Sequence, residues 1–267
     1  MLNNITLGQY LPGNSVVHRL DPRTKILLMI AYVVAVFLVD RIEVFALIIG
    51  FTVLTTLLSG IHLSYLVKAL KPMKFLLPLM FIMNLFLVKT GELLVEWWII
   101  TIYKDGIKNA FFIVLRLATL VAGTSLLTLT TTPISLTDGL ERLFTPLKVI
   151  KFPAHELAMM MTIALRFIPT LIEEADKITK AQLARGADFE SGNIFRRAKA
   201  MLPILIPLFV NSFRRADELA MAMESRCYHG GEGRTRMRVL KLKLNDLYAT
   251  FVMAALIAAV VVIQKFI

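Results

Sequence analysis

Apolar residues in this chain gather into long runs, and this feature limits its fold more than any other. The runs cover residues 26–39, 44–61, 75–88, 117–137 and 247–263. A helix crossing a bilayer needs about 20 mainly apolar residues, because the hydrocarbon offers no partner for an unpaired backbone group. Several runs fall short of that length. Lys25, Lys74 and Lys89 stand at their ends, where a long aliphatic stem lets the ammonium reach the interface. Composition agrees: of 267 residues, 57% are hydrophobic and 18% charged, against roughly 45–50% and 25% in soluble domains. The expectation is an all-α integral membrane protein with about five transmembrane helices and a cytoplasmic region of amphipathic helices.

The formal net charge is +11. In a soluble protein that balance would suggest nucleic acid as a partner. In a membrane protein it reflects the excess of Lys and Arg on cytoplasmic loops. No basic motif is interleaved with aromatics, so nucleic acid is not expected. Cys227 is the only cysteine, which excludes an intrachain disulfide. The first 17 residues hold no positive segment followed by a compact apolar one, so no cleavable signal peptide is expected.

Loop charges predict the topology. The lead-in, 1–25, ends "HRLDPRTK". Asp21 suits a helix N-cap and Pro22 the first helical position. Arg19, Arg23 and Lys25 crowd that helix start, where cations oppose the helix dipole. Retention at the cytoplasmic face, rather than helix stability, is expected to account for them. Segment 40–43 is acidic on balance, whereas 59–74 carries Lys68, Lys71 and Lys74 without an acid. Segment 89–106 mixes both signs beside Trp97, Trp98 and Tyr103, the pattern of an interfacial aromatic belt. The basic stretch "RTRMRVLKLK", 234–243, marks the cytoplasmic end of the last run. The N-terminus is therefore expected inside. The division is 1–132 (tail and transmembrane helices one to four), 133–243 (cytoplasmic helical region) and 244–267 (C-terminal transmembrane helix). Arg116 falls within the fourth helix, about 107–132. An intramembrane charge is a candidate functional group, although near the outer end it could snorkel or face other helices.

Two stretches of the central region share one layout. "ADKITKAQLARGADF" begins at Ala175 and "ADELAMAMESRCYHG" at Ala216. Asp176 precedes Arg185 by nine residues, and Asp217 precedes Arg226 by nine. Ile168, Leu171, Ile172, Ala175, Ile178 and Ala181 fall on one helix face, as do Phe209, Phe213, Ala216, Leu219, Ala220 and Met223. Each arginine lies seven residues after a stripe residue, so it rejoins the apolar face at its end. Gly186 and "CYHGG" are expected to stop the helices. Pro169, and Pro203 with Pro207, are expected to kink or break them at their starts. Such arms suit plugs: each tip would enter a groove of a cytoplasmic partner, with guanidinium pairing to carboxylate. Similar tips imply a dimeric or pseudo-dimeric partner.

"HRLDPRTK", "LRFIPTLIEEADKITKAQLARGADF" and "RRADELAMAMESRCY" resemble the EcfT/CbiQ/BioN family, the transmembrane coupling subunits of energy-coupling factor transporters. The resemblance runs through nearly the whole chain. It implies that the amphipathic arms are coupling helices and that the chain sits in a prokaryotic plasma membrane. It implies as partners two ABC-type ATPase subunits, of the EcfA and EcfA′ kind, and an exchangeable membrane S component that binds a vitamin or similar micronutrient. The family's Ala-Arg-Gly motif matches Ala184, Arg185 and Gly186. The second copy, Ser225, Arg226 and Cys227, matches at its arginine alone. These six residues are the expected ATPase-binding positions. ATP and magnesium would belong to the ATPases, with no cofactor in this chain. The Met-rich "ELAMMMTIALRF" offers an adaptable surface for a changing partner.

Other function classes find less support. A membrane-embedded transferase would need Glu173, Glu174 and Asp176 to converge on a cation, but Arg214 and Arg215 are expected to lie opposite the two glutamates. His18, His62, His155 and His229 are scattered without ligand spacing. No GxxxxGK[ST] phosphate loop occurs, so the chain is not expected to hydrolyse ATP or act as an enzyme. A self-sufficient transporter would show more midmembrane polar groups than Arg116 and Asn84. A dedicated metal-ion importer subunit is an alternative within the same family.

Overall fold

The computed structural model describes residues 10–88, 90–97, 100–189, 191–231 and 240–266. In chain order its elements are α1 (Pro22–Leu38), α2 (Ile42–Ser59), α3 (Leu63–Leu70), α4 (Leu76–Leu87), β1 (Leu93–Trp97), β2 (Ile100–Tyr103), α5 (Lys104–Thr130), α6 (Pro133–Phe144), α7 (Ala154–Ala184), α8 (Ile194–Glu224) and α9 (Leu244–Phe266). The all-α class is borne out, with one small antiparallel hairpin in which Trp97 pairs with Ile100. That hairpin occupies the segment expected to be a plain aromatic loop. The described residues form two compact units, one of residues 10–139 with 240–266, the other of residues 140–231.

Among the described residues, four helices are long and apolar enough to cross a membrane: α2, α5, α7 and α9. A fifth span arises if Leu63–Met73 and Leu76–Leu87 form one broken crossing, bent by 64°. The third apolar run, 75–88, forms α4, which alone falls short of a full crossing. α4 has 12 residues, and at about 1.5 Å per residue it is too short for a core of roughly 30 Å. Pro72 sits in the 3₁₀ turn Lys71–Met73 just before the bend, where it removes a donor and disfavours helix in the residue before it. α7 is among the four long apolar helices, although no clean run was expected between 133 and 243.

In the first unit the core lies where α1, α2, α5 and α9 meet. Tyr32, Val36 and Val39 of the first segment pack with Val44, Phe45 and Ile48, and with Met253, Leu256 and Val260. The opposite face of α1 shows Leu27, Ile30, Val34 and Phe37, as expected of a helix side turned to lipid. Inside, the Tyr32 hydroxyl lies 2.8 Å from Thr52 Oγ1 and donates to the Thr119 carbonyl at 3.1 Å. Gly123 leaves room for that ring: a Cβ there would stand 2.3 Å from Tyr32 Cε1.

The lead-in cations correct the sequence expectation. Lys25 is buried, and its ammonium donates to the carbonyls of His18 and Thr130 and to Thr131 Oγ1, at 3.3, 2.9 and 2.9 Å. It thus satisfies a carbonyl at the C-terminal end of α5, which the helix leaves orphaned. Arg23 grips Asp21 through Nε and a terminal nitrogen, both at 3.0 Å, while Asp21 caps α1 by accepting from the Arg23 backbone N–H at 2.9 Å. Burial raises the Asp21 carboxyl's pKa, but the Arg23 side-chain and backbone bonds and its charge outweigh this and hold it below the usual carboxylate range. Two of the three cations are therefore structural. Their cost against the dipole is offset by specific hydrogen bonds. The basic stretch 234–243 lies mostly outside the described residues, as do Lys89 and Trp98.

Candidate functional site

The paired arms are α7 and α8, each 31 residues long. Neither breaks at its prolines: Pro169 lies inside α7, and Pro203 and Pro207 inside α8. This corrects the expectation that prolines would mark the helix starts. A proline removes one intrahelical bond, and the rest of a long helix carries the continuity.

The two tips close with the same hydrogen-bond pattern. After Ala184, Arg185 precedes Gly186 at φ +84°. The Gly186 N–H donates to the Leu183 carbonyl at 2.9 Å and the Ala187 N–H to the Gln182 carbonyl at 3.0 Å. After Ser225, Arg226 precedes Cys227 at φ 56°. The Cys227 N–H donates to the Glu224 carbonyl at 2.8 Å and the Tyr228 N–H to the Met223 carbonyl at 3.0 Å. Both are the paired closure of a Schellman turn, in which a left-handed residue lets the chain fold back over the last carbonyls. Arg185 and Arg226 hold the same place in it, directly before the left-handed residue. Sequence comparison matched the arginines alone. The backbone also matches Cys227 to Gly186, although only glycine takes that conformation without a Cβ penalty. All six expected positions, Ala184, Arg185, Gly186, Ser225, Arg226 and Cys227, are exposed.

Both polar and apolar groups join the arms. Glu174 of α7 pairs with Arg215 of α8 at 2.9 Å and accepts from Asn211 Nδ2 at 2.5 Å. Beside them, Ile163, Phe167, Leu171, Ser212, Leu219 and Met223 help to line a cavity of about 270 Å³. Phe209 and Phe213 stack on each other, centroids 6.4 Å apart, and stand exposed. The expected stripe thus splits: Leu219 and Met223 face α7 while the phenylalanines face outward. The sequence did suggest a glutamate–arginine juxtaposition, and the Asn211 contact carried no sequence signal.

The acidic trio does not gather. Glu174 is engaged by Arg215 and Asn211, and Asp176 pairs with Lys180 one turn on at 2.7 Å. Among the described residues no three His, Cys, Asp or Glu side chains could hold a metal ion. Arg116, the intramembrane candidate, faces neighbouring helices of the other unit. It donates to the Val39 carbonyl and sits 3.9 Å from Asp40 Oδ1, with its guanidinium 4.5 Å from the Phe112 centroid.

The cobalt transport protein family CbiQ matches residues 13–237. An energy-coupling factor transporter transmembrane protein EcfT of Thermosediminibacter oceani is 54% identical over 266 residues, covering all of both chains. That of Acidaminococcus fermentans is 56% identical, covering 96% of this chain and 95% of its own. That of Bacillus subtilis is 46% identical, covering 96% and 98%. With identity this high from end to end, and a bundle of apolar helices to match, the chain belongs to the CbiQ/EcfT family of transmembrane transport proteins.

Proposed function

We propose that the chain is the coupling subunit of an energy-coupling factor importer in a prokaryotic plasma membrane, with its N-terminus in the cytoplasm. The arms α7 and α8 form the cytoplasmic part of this reading. Arg185 and Arg226, with Ala184, Gly186, Ser225 and Cys227 around them, dock into grooves of two ABC-type ATPase subunits. ATP binding and hydrolysis there change the separation or angle of the ATPases. The rigid arms carry that movement to a membrane S component, whose access to its micronutrient cargo, a vitamin or similar compound, then alternates. This chain supplies no catalytic group and no cofactor site.

One observation carries the reading: two helices of equal length end in the same capped turn, each with an exposed arginine in the same place. Two like ATPase grooves would explain the duplication. A guanidinium presents a fixed planar fork of donors, so a carboxylate in each groove could be met in one geometry. The exposed Phe209 and Phe213 and the Met-rich start of α7 suit an adaptable contact with the S component.

The test is co-purification of the full chain with its ATPases from membranes. Replacing both arginines, R185E with R226E, should release both ATPase chains and stop uptake. Retention of both at the unmodified level would end the reading.

A further inference from the structure

The membrane unit contains a cavity that the coupling reading does not use. It measures about 380 Å³, within the range of roughly 300–1,000 Å³ typical of small-ligand sites. Leu28, Met29, Phe51, Leu58, Leu127 and Val252 form much of its wall. It runs from Leu20 and Asn245 at one end of the helices to Tyr32, Thr52 and Gly123 further along them. Leu58 and Val252 are themselves at least half exposed, so the cavity is reached from the outer surface of the helices.

The polar end of the cavity is cationic. Lys25 lines it, but its three donors are already committed to His18, Thr130 and Thr131. Arg23 is held by Asp21 and by the Leu240 carbonyl at 3.2 Å. Asp246 is buried and accepts from the Asp21 and Lys243 backbone N–H groups, 2.7 Å each. One carboxylate therefore joins the end of the lead-in to the start of α9. Flanking that joint are Arg19, next to the wall residue Leu20, and Lys243, two residues before the wall residue Asn245. Both are exposed and make no ion pair among the described residues. The acids are turned inward while free cations face out beside an apolar slot.

We propose that this cavity holds one acyl chain of an anionic bilayer phospholipid, with its phosphate between Arg19 and Lys243. An apolar wall takes a hydrocarbon tail, and the paired exposed cations favour a negative head group over a zwitterionic one. The lipid would fill the space between the lead-in, α2, α5 and α9.

Native mass spectrometry of the full chain in mild detergent, titrated with phosphatidylglycerol or phosphatidylcholine, tests this. The unmodified chain should keep one phosphatidylglycerol in preference to phosphatidylcholine. V252W, which fills the cavity from its exposed wall, should lower retention at least about tenfold, the loss expected on expelling a few methylenes. V262W, on an exposed part of α9 outside the cavity, should retain the lipid and controls for folding. R19A and K243A should each cut the preference by about fivefold. Equal retention by V252W and V262W, or equal binding of both lipids by the unmodified chain, would overturn the proposal.

Discussion

The Lys25 ammonium donates to the Thr130 carbonyl at 2.9 Å, bridging the first turn of α1 to the last residue of α5 across 105 positions of sequence. Lys25→Met keeps the aliphatic stem and removes all three donors. The Thr130 carbonyl is then buried without that partner, a loss of about 1–3 kcal/mol. Thermal unfolding in detergent should show K25M clearly less stable than the protein itself, and K68M, at an exposed lysine, unchanged.

Asp21 gives a pH dependence with a definite sign. Its folded pKa is depressed, so its share of stability is present above the unfolded value of about 3.9 and is lost as pH falls through the folded value. Acid unfolding of the protein should therefore steepen below about pH 4. D21N should flatten that limb, which a pH series of melting curves would show.

Gly123 and Tyr32 are matched in shape. G123A places a methyl against the ring and should destabilise by about 1–3 kcal/mol. The double variant with Tyr32→Leu, which removes the ring, should recover part of the loss. A double-mutant cycle should give a favourable coupling, and simple additivity would contradict the contact.

The tips predict opposite effects for opposite substitutions. Cys227 carries a side chain in the left-handed region, so C227G should stabilise its turn by about 1 kcal/mol, while G186A should destabilise the other by a similar amount. Hydrogen exchange at the Tyr228 and Ala187 amides, which close the two turns, should slow in the first variant and quicken in the second.

Glu174 and Arg215 tie the arms together. With both partly buried, E174A and R215A should each weaken α7–α8 association, and a double-mutant cycle should return about 1 kcal/mol of coupling or more. A disulfide introduced nearby between the arms would report the change as a lower crosslinking yield.

Much of this was legible in the sequence. The apolar runs define most of the helices, because hydrocarbon leaves a backbone no alternative to internal hydrogen bonding. The helix spacing of the arms and the repeated arginine at their ends are local patterns. So is the N-cap at Asp21, which needs only residues two apart. Tertiary structure decided what depends on distant partners. It turned Lys25 inward, onto a carbonyl 105 positions away. It set a 64° bend between Leu63–Met73 and the third apolar run, carried two helices through their prolines and turned Phe209 and Phe213 outward. It also gave Cys227 the backbone of a glycine, which its letter in the sequence argues against. Periodicity fixes what one helix does alone. Which buried charge finds a partner, and which face is covered, depends on packing, where a few hydrogen bonds outweigh local preference.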